Sequence, residues 1–519
     1  MTNLCVAIFV ENVAQAKRDI AAAAEAGADL VELRIDDVTD VDIGRELLAG
    51  SIASTIVTCR PTWEGGHSGL PDSERLNLLK AVAATDGGYI DIELKAGASA
   101  IRELTANPRD LRPGVIVSTH DFKGRPERLT NLFSELNTSS GDVAKIVWLA
   151  RSIRDNIEAF ELLQHRQKPT IALCMGEAGL ISRILAKKFG AFLTFASLRD
   201  ESATAPGQVT IADMTRLYRW DALNPKTKVY GVVGSPIMHS MSPAIHNAAF
   251  ESVGHDGVYL PMLVQSGYES FKAFMESFLE FAPLDLSGLS VTIPHKENAL
   301  RYVKEKGADI EPLAEQIGAV NTIVIEQTDR RLQLRGMNTD YAAILDTITT
   351  ALGISREDLA GKRVAVIGAG GTGRTAVAAL AAQGATVVVY NRTKERADEL
   401  AQEFDGKTGK VVSARLEKLC DSCCEIFINT TALGMHPNVD ASAFGERIPE
   451  LTPQTLVFDT VYNPMETKFL KQAKNAGAIT VGGVEMFVRQ AGRQFQAWTN
   501  QTAPMDVMRR VIEQRLGQR

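Results

Sequence analysis

The sequence lacks the features that mark nucleic-acid-binding and membrane proteins. Its 56 basic residues are outnumbered by 63 acidic ones, giving a net charge of −7, and the basic residues form no stripe. Nucleic acid and anionic membranes are therefore unexpected partners. No apolar run is long enough to span a bilayer, and no basic segment with a cleavage site opens the chain. We expect a cytoplasmic protein, unless a targeting segment was removed.

Cysteine and histidine are both scarce. Of six cysteines, Cys5, Cys59 and Cys174 lie in apolar strand-like runs, where cysteine behaves as a small hydrophobic residue. The other three lie within residues 420–424, where a lone C-x-x-C has no second pair and no neighbouring histidine. The eight histidines are scattered. We therefore expect no metal site.

Length and hydrophobicity predict several domains, because 519 residues with 45% hydrophobic content can fill more than one core. Up to about residue 222, short apolar runs alternate with helical patterns. The runs interpreted as strands cover residues 4–10, 30–36, 54–60, 89–94, 114–119, 143–149, 169–175 and 191–197. Helical patterns follow them, among others at 12–26, 73–84, 126–136, 153–166 and 179–189. Eight such units predict an α/β fold, a (β/α)8 TIM barrel over residues 1–222. Periodicity alone leaves a doubly wound open sheet as the alternative.

One predicted strand, at residues 143–149, carries a lysine in its centre. An ammonium buried without a partner is costly, so such a lysine tends to lose its proton and become a nucleophilic amine. A neutral amine in a dry pocket suits Schiff-base chemistry on a ketone. The alternative is that Lys145 lies near the strand end and extends its head group to solvent.

Further polar residues stand at the predicted carboxyl ends of the strands, where (β/α)8 barrels carry their chemistry. Glu32 and Arg34 are two residues apart and therefore share one face of their strand. The others are Arg60 at the end of the third strand, His120 after the fifth, Arg183 after the seventh and Gln208 after the eighth. Each alone is more often a salt-bridge or capping residue, but together they predict a site.

The motifs of the first half resemble those of type I 3-dehydroquinate dehydratase. TCRPTWEGG, STHDF, AKIVW, CMGEAGLISR and ATAPGQ occur in the family's order across nearly all of it. The resemblance favours Lys145 as the residue that forms an imine with the ring ketone. It implies that His120 takes and returns a proton, oriented by Glu64. The residues that it implies for the substrate carboxylate and hydroxyls are Arg183, Glu32, Arg34, Arg60, Thr204 and Gln208; Thr204 stands where serine is common.

The second half begins after residues 223–228, which lose periodicity, carry an Asn-Pro breaker and are interpreted as a linker. Ser240 and Ser242 precede a proline in an S-x-S-P motif. This motif fits either an anion site at a helix start or plain helix capping. By default, Lys296 in T-I-P-H-K is a surface lysine and Asp340 in N-T-D is a helix N-cap.

A G-x-G-x-x-G motif at Gly368, Gly370 and Gly373 follows an apolar strand and precedes a helical run. These flanking elements are those that a dinucleotide-binding loop requires, and we predict a Rossmann domain over 346–483. No acidic residue ends the next strand, ATVVVY; a basic cluster, N-R-T-K-E-R, begins at Asn391 instead. That composition favours NADP over NAD.

The second half resembles shikimate dehydrogenase over nearly all of 226–519. S-x-S-P, T-I-P-H-K, G-A-V-N-T, N-T-D, the glycine motif, N-R-T and Y-N-P occur in family order. The resemblance implies a shikimate-binding domain over 229–345, completed by 484–519, and an acid–base pair of Lys296 and Asp340. The implied substrate-binding residues are Ser240, Ser242, Thr292, Asn321, Tyr462 and Gln490. The implied NADP-binding residues are Gly368, Ala369, Gly370, Gly371, Thr372, Gly373, Asn391, Arg392, Thr393, Arg396, Thr430 and Gly483.

Two residues depart from the pattern of single-domain shikimate dehydrogenases. Ser290 stands where asparagine is common and Tyr341 where glycine is common, as in the fused, plant-type enzymes. These departures bear on substrate preference and not on the reaction.

Together the resemblances imply an enzyme that dehydrates 3-dehydroquinate and then reduces 3-dehydroshikimate to shikimate with NADPH, with these small molecules as its partners. One alternative is an NAD-dependent catabolic quinate or shikimate dehydrogenase fusion, which the missing acidic residue disfavours. The other is a metabolite-sensing protein with one inactive site. The presence of Lys145, His120, Lys296 and Asp340 together disfavours the sensor.

Overall fold

The structure is a computed structural model that divides into two compact units. It describes residues 2–38, 46, 54–83, 88–202, 204–328, 331–406 and 409–517. The first unit is Met1–Pro243 with Asp256–Leu286, and the second is Ala244–His255 with Ser287–Arg519. Within the described ranges, no helix combines the length and apolar character needed to cross a membrane.

The first unit contains eight parallel strands in the order β7-β6-β5-β4-β3-β2-β1-β8. The strands are β1 Asn3–Phe9, β2 Leu30–Arg34, β3 Ser54–Thr58, β4 Tyr89–Glu93, β5 Gly114–Asp121, β6 Val143–Leu149, β7 Thr170–Met175 and β8 Leu193–Ala196. The seam between β7 and β8 is closed by one backbone hydrogen bond, 2.8 Å from Phe192 N to Thr170 O. The sheet is thus a nearly closed barrel, which confirms the predicted (β/α)8 fold and excludes the open sheet.

Helices follow most of the barrel strands. They are α1 Val13–Glu25, α2 Asp72–Ala83, α3 Ala98–Leu104, α4 Leu129–Thr138, α5 Asp155–Gln164 and α6 Leu180–Ile184. The side chain of Asn12 caps α1 by accepting a 2.9 Å hydrogen bond from Gln15 N, so the helix begins where the sequence predicts. The helix predicted over 179–189 is wrong in length, because after Ile184 the chain forms turns that bring Lys188 onto the carbonyls of Pro225 and Thr227.

The residues interpreted as a linker are anchored to the rest of the first unit. Lys188 Nζ donates to the carbonyl oxygens of Pro225 and Thr227 at 3.0 and 2.9 Å. The Thr227 hydroxyl donates to Asp256 at 2.7 Å, and the side chain of Leu223 is buried. The segment is therefore a packed connection within this unit.

The first unit also contains a parallel pair of strands, β9 Lys228–Gly234 and β10 Gly257–Leu263. Helix α7, Ser242–Ser252, begins here, and α8 spans Tyr268–Glu280. Phe281, directly after α8, packs its ring 5.8 Å from that of Phe189 and 6.3 Å from that of Phe160, both on the barrel. These aromatic contacts join the barrel to the segment that follows it in this unit.

The second unit contains two sheets. In one, β11 Leu286–Val291 pairs antiparallel with β13 Thr322–Thr328, which pairs with β14 Arg331–Met337, and the short β12 Asp309–Ile310 lies against β14. The other is parallel in the order β17-β16-β15-β18-β19-β20, with bounds β15 Arg363–Ile367, β16 Thr386–Tyr390, β17 Lys410–Ala414, β18 Ile426–Asn429, β19 Leu456–Asp459 and β20 Ile479–Val481. This is the strand order of a Rossmann fold. Successive strands are added on one side of β15 up to β17 and on its other side from β18 onward, and such sheets bind nucleotides at this switch point between β15 and β18.

Alternating residues of β15 explain why the parallel sheet is covered on both faces. Val364 and Val366 belong to one buried cluster, and Ala365 and Ile367 belong to another.

The helices of the second unit are α9 Lys296–Glu305, α10 Pro312–Ile317, α11 Thr339–Leu352, α12 Gly371–Ala382, α13 Lys394–Phe404, α14 Lys468–Asn475, α15 Gly483–Thr499 and α16 Met505–Gly517. The carboxyl ends of the parallel strands therefore meet at one edge, with the glycine motif between β15 and α12.

Candidate active sites

The barrel residues predicted from the sequence are brought together in one cavity. All nine line it: Glu32, Arg34, Arg60, Glu64, His120, Lys145, Arg183, Thr204 and Gln208. The apolar part of the wall includes Phe122, Val147, Leu173 and Phe195. The side chains come from different strand ends, as expected for a barrel site.

Lys145 occupies the inner face of β6 and is 3% exposed, so its head group does not reach solvent. The alternative of a snorkelling lysine is wrong. Its Nζ lies 2.8 Å from Asp91 Oδ2, 3.4 Å from Glu32 Oε1 and 4.4 Å from the centroid of the Phe195 ring. The expectation of an unpartnered amine is therefore also wrong: the amine is buried in ion pairs, which it must leave before it can attack a carbonyl carbon.

His120 is the second-to-last residue of β5 and is held by Glu64. Glu64 Oε1 accepts from the His120 backbone N–H at 3.0 Å and lies 3.1 Å from His120 Nδ1. Burial, with the nearby cations of Arg60 and Lys145, holds the pKa of His120 well below its usual value. A neutral imidazole whose Nδ1 is held by a carboxylate leaves Nε2 able to accept a proton.

Burial raises the pKa of Glu64 to about 7, against the opposing effect of Arg60. Its second oxygen, Oε2, is buried without a hydrogen-bond partner among the described residues. His120 and Glu64 thus form one hydrogen-bonded pair, in which burial disfavours the charged form of each group.

Arg60 organises a set of buried acids that the sequence analysis missed. Its guanidinium lies 2.8 Å from Asp91 and 2.7 Å from Glu93, and donates to Ser118 at 2.7 Å. Arg60 and Lys145 together hold the pKa of Asp91 well below its usual value despite its burial. The signal was present in the sequence, because in Y-I-D-I-E the two acids alternate with apolar residues and share one face of β4.

Arg183 on α6 is a buried cation without a carboxylate. It is 1% exposed, it forms no salt bridge with a described residue, and its Nε has no hydrogen-bond partner among those residues. Burial lowers the pKa of Arg183 to about 10. A desolvated guanidinium facing a cavity is a receptor for an anionic ligand.

The remaining barrel residues are oriented by neighbours. Arg34 forms a two-pronged ion pair with Asp36, whose oxygens also accept from the backbone N–H groups of Arg60 and His67 at 3.0 Å each. Asp36, which the sequence analysis missed, therefore anchors both ends of the loop that carries Glu64.

Thr204 and Gln208 hold each other at another part of the cavity wall. The amide oxygen of Gln208 accepts from Thr204 N at 2.7 Å. The Thr204 hydroxyl lies 3.2 Å from the amide nitrogen. The pair offers an amide and a hydroxyl to a polar ligand.

In the second unit, Lys296 and Asp340 form a close pair, with 2.6 Å between Nζ and Oδ2. Lys296 is the first residue of α9 and Asp340 lies in the first turn of α11. Their side chains are 30% and 14% exposed, so the pair is open to a ligand and yet partly shielded from water. Asn338, and not Asp340, caps α11 by accepting from Asp340 N at 3.1 Å.

Asn321 supports the start of α11. Its amide oxygen accepts from Thr339 N at 2.8 Å, and its amide nitrogen donates to the Thr339 hydroxyl at 3.1 Å. Two buried hydrogen bonds extend this network: the Gln494 amide nitrogen donates to the Thr322 hydroxyl at 3.0 Å, and the Ser290 hydroxyl donates to the Gln494 amide oxygen at 2.8 Å. Ser290 is thus buried in this network. Asn321 does not contact the Lys296–Asp340 pair directly but binds Thr339, the residue before Asp340.

The other residues predicted for this substrate occupy separate elements. Thr292 directly follows β11, four residues before Lys296, and is half-buried. Tyr462 follows β19 and packs its ring 5.1 Å from that of Phe487. Gln490 lies half-buried on α15, one turn before Gln494. Their contact with a substrate stays a prediction.

Ser240 and Ser242 lie in the first unit, at the start of α7. Ser242 N donates to the Ser240 hydroxyl at 3.2 Å. The geometry therefore shows the capping-type contact that the sequence left open, and an anion-binding role stays a prediction.

The glycine motif forms a close turn between β15 and α12. Gly368 has φ +114, and a Cβ there would lie 2.6 Å from the Thr430 hydroxyl; a Cβ on Gly373 would lie 2.1 Å from Gly368 O. A Cβ on Gly370 or Gly371 would meet nothing within 4 Å, and no side chain caps α12 at Gly370. The tight turn leaves an open helix N-terminus, which fits a pyrophosphate.

Asn391 and the exposed basic residues that follow it border the same sheet edge. Asn391 Oδ1 accepts from Ala369 N at 3.2 Å, which ties the end of β16 to the glycine loop. Arg392 and Arg396 are exposed and make no ion pair with a described residue, whereas Lys394 pairs with Asp398. Two unpaired guanidinium groups at this position fit a ribose phosphate.

Three further residues predicted for the cofactor have distinct settings. Thr372 lies in the first turn of α12, and Thr393 precedes α13 and is exposed. Gly483 has a packing explanation, because a Cβ there would lie 2.4 Å from Thr460 O. Its cofactor contact stays a prediction.

Family models match most of the chain. They are the type I 3-dehydroquinase at residues 4–225, the shikimate dehydrogenase substrate binding domain at 232–323, the shikimate / quinate 5-dehydrogenase at 351–468 and the shikimate 5'-dehydrogenase C-terminal domain at 483–513. With the cavity and the Lys296–Asp340 pair, these matches define an α/β enzyme of two activities.

One relative that matches nearly the whole chain shows the family. The chloroplastic bifunctional 3-dehydroquinate dehydratase/shikimate dehydrogenase of Arabidopsis thaliana is 38% identical over 521 residues, which cover 97% of this chain and 83% of the plant protein. The NADP(+) shikimate dehydrogenase of Methanosarcina barkeri is 41% identical over 292 residues, 55% of this chain and 97% of that protein. A solved structure of the dehydroquinate dehydratase and shikimate dehydrogenase from S. pombe AroM is 24% identical, has a TM-score of 0.45, and covers 99% of this chain and 98% of its own. The chain belongs to the bifunctional 3-dehydroquinate dehydratase/shikimate dehydrogenase family.

Proposed function

We propose that this chain converts 3-dehydroquinate to 3-dehydroshikimate in its barrel and reduces that ketone to shikimate with NADPH in its second half. The observation that carries the proposal is the buried Lys145, which lines one cavity with the His120–Glu64 pair and with the unpaired Arg183. A nucleophilic amine, a base and an anion receptor are the three groups that an imine-forming dehydratase needs for a carboxylate-bearing ketone.

In the dehydratase step, Lys145 gives a proton to one of its paired carboxylates, Glu32 or Asp91, and the neutral amine attacks the ring ketone. Loss of water then gives an imine. The protonated imine withdraws electrons from the adjacent carbon, so a hydrogen there becomes removable. His120, kept neutral by burial, accepts that proton and then delivers it to the departing hydroxyl group. Hydrolysis of the imine restores the lysine and releases the enone.

The substrate in this step is held by the rest of the cavity wall. Arg183 binds the carboxylate, because its guanidinium has no acidic partner of its own. Glu32, Arg34 and Gln208 then face the ring hydroxyls. Arg60 is committed to Asp91 and Glu93 and acts mainly by fixing the acids around Lys145.

In the reductase step, Lys296 and Asp340 serve the carbonyl oxygen. NADPH supplies the hydride when bound. The lysine ammonium donates to the oxygen on which negative charge develops and hands it a proton, and Asp340, 2.6 Å away, orients the ammonium. Ser240 and Ser242 are proposed to bind the substrate carboxylate, and Thr292, Asn321, Tyr462 and Gln490 to bind its hydroxyls or shape the pocket.

The residues present fit NADP. Gly370 and Gly371 at the uncapped start of α12 would hold the pyrophosphate, with Ala369, Thr372 and Gly373 completing the turn. Arg392 and Arg396, with Asn391 and Thr393, would hold the ribose phosphate. Thr430 supports the loop by donating to Ile367 O at 2.9 Å. An NAD-dependent enzyme would place an acid at this strand end, which disfavours the catabolic alternative.

A coupled assay tests the two assignments separately. With 3-dehydroquinate and NADPH, the protein should consume NADPH. Lys145→Ala should stop that consumption, yet leave it intact with added 3-dehydroshikimate, whereas Lys296→Ala should let the enone accumulate without NADPH consumption. NADPH consumption from 3-dehydroquinate by Lys145→Ala would overturn the lysine assignment, and an inactive half in the unmodified protein would favour the sensor.

The domain boundaries and the cellular location are also proposals. We infer that the barrel ends near residue 222, that a Rossmann domain spans 346–483, and that 229–345 and 484–519 form the substrate-binding domain. We further propose a cytoplasmic location, which cell fractionation tests; recovery with an organelle would contradict it.

A further inference from the structure

Glu311, the residue before α10, ties together two points at the start of α11. One carboxylate oxygen accepts from the Tyr341 hydroxyl, and the other accepts from Asn338 N at 3.2 Å. Glu311 itself is fixed, because its backbone N–H donates to Gly336 O in β14 at 3.0 Å.

Asp340 lies between these two anchored residues. Asn338 also accepts from Asp340 N at 3.1 Å and donates to Ala319 O at 3.1 Å. The Asp340 carboxylate, in turn, is 2.6 Å from Lys296 Nζ. The backbone on both sides of the acid is therefore held through one carboxylate, and a shift of either anchor would move Asp340 relative to the lysine.

The Tyr341 hydroxyl stays protonated and donates its hydrogen bond to Glu311. It is half-buried, and burial together with the Glu311 carboxylate raises the pKa of Tyr341. The phenol therefore keeps its proton over the working pH range. A glycine at this position could make no such bond.

Helix α10, which directly follows Glu311, is also fixed at its other end. The carbonyl of Ile317, the last residue of α10, accepts from the guanidinium of Arg374, which follows Gly373 of the glycine motif and pairs with Glu403. A short helix held at both ends is a rigid support for a side chain that must be placed accurately.

We propose that Glu311 and Tyr341 are positioning residues for Asp340, acting as one unit that sets the geometry of the Lys296–Asp340 pair. The inference rests on the acid–base role proposed for that pair. Neither residue needs to touch substrate, so both act through Asp340.

The experiment compares Tyr341→Phe, Glu311→Gln and the double variant with Asp340→Asn in the full chain. Each single change should lower kcat for 3-dehydroshikimate reduction about tenfold and shift its pH profile, because the acid–base geometry changes. The Kd for NADPH and the dehydratase activity should not change, which reports that both units are folded. The double variant should lose no more than the larger single loss, since partners in one unit are not additive.

Tyr302→Phe is the matched control, because it removes a phenol hydroxyl from α9, the helix that Lys296 begins. It should leave the pH profile of reduction unchanged. If Tyr341→Phe and Glu311→Gln keep the normal kcat and pH profile while Asp340→Asn is inactive, the positioning role is wrong and the acid–base role stands. If Asp340→Asn keeps full activity, the acid–base role is wrong and the positioning role falls with it.

Discussion

Replacing Arg183 with methionine should stabilise the barrel and weaken the binding of 3-dehydroquinate. Burial lowers the pKa of Arg183 from its usual value to about 10, and this shift corresponds to about 3 kcal/mol of unfavourable desolvation at neutral pH. No carboxylate among the described residues offsets this cost. Methionine removes the charge and keeps most of the apolar stem, so up to about 3 kcal/mol of barrel stability should be gained. For a domain of this size each kcal/mol raises Tm by about 2–4 °C.

The same change should weaken substrate binding. Loss of two charge-assisted hydrogen bonds to a carboxylate should raise KM for 3-dehydroquinate by roughly 100-fold or more. Thermal unfolding with hydrogen exchange on barrel peptides measures stability, and enone absorbance measures dehydration. Reduction of added 3-dehydroshikimate is the internal control and should be unchanged. A barrel destabilised by several kcal/mol together with a normal KM would refute the reasoning, because Arg183 would then be a structural ion-pair partner.

Three further predictions follow from other residues. Burial raises the pKa of Glu64 to about 7, so the folded protein binds this proton more tightly than the unfolded chain and loses stability as pH rises from about 4.5 to 7. Glu64→Gln should remove that loss of about 3 kcal/mol, so the Tm of the variant should exceed that of the unmodified protein by an amount that grows from pH 5 to pH 8. A Tm difference that stays constant with pH would contradict this prediction. Arg392→Gln with Arg396→Gln should raise KM for NADPH roughly 10- to 100-fold and leave KM for NADH unchanged in steady-state kinetics; equal effects on both would contradict a phosphate site. Phe281→Ala should cost about 3 kcal/mol in urea unfolding of the first unit, because the ring packs on Phe160 and Phe189, and an unchanged midpoint would show that these contacts do not stabilise it.

The sequence predicted the barrel well because its strands are buried on both faces. In β6, Val143 to Trp148 are all buried, so the run is apolar throughout apart from Lys145. The residues that line the cavity also stood out, since each is polar at a strand end. The helix over 179–189 was predicted too long because Lys188 contacts the backbone of a segment almost forty residues away.

The charge state of the barrel site could not be read from the sequence. Lys145 is paired with Asp91, 54 residues earlier, and no local pattern joins the two. The isolation of Arg183 is equally a property of packing, because the absence of a partner is visible only when all neighbours are placed. Tyr341 was identified as a departure from the family pattern, but its partner Glu311 lies 30 residues away.

Trapping with borohydride tests the central assignment most directly. In the presence of 3-dehydroquinate, borohydride should reduce the imine to a stable amine, and intact-mass and peptide mass spectrometry should place the added ligand on Lys145. The Lys145→Ala protein should gain no mass and should still reduce added 3-dehydroshikimate with NADPH. An adduct on another lysine, or normal dehydration without any trapped adduct, would contradict the account.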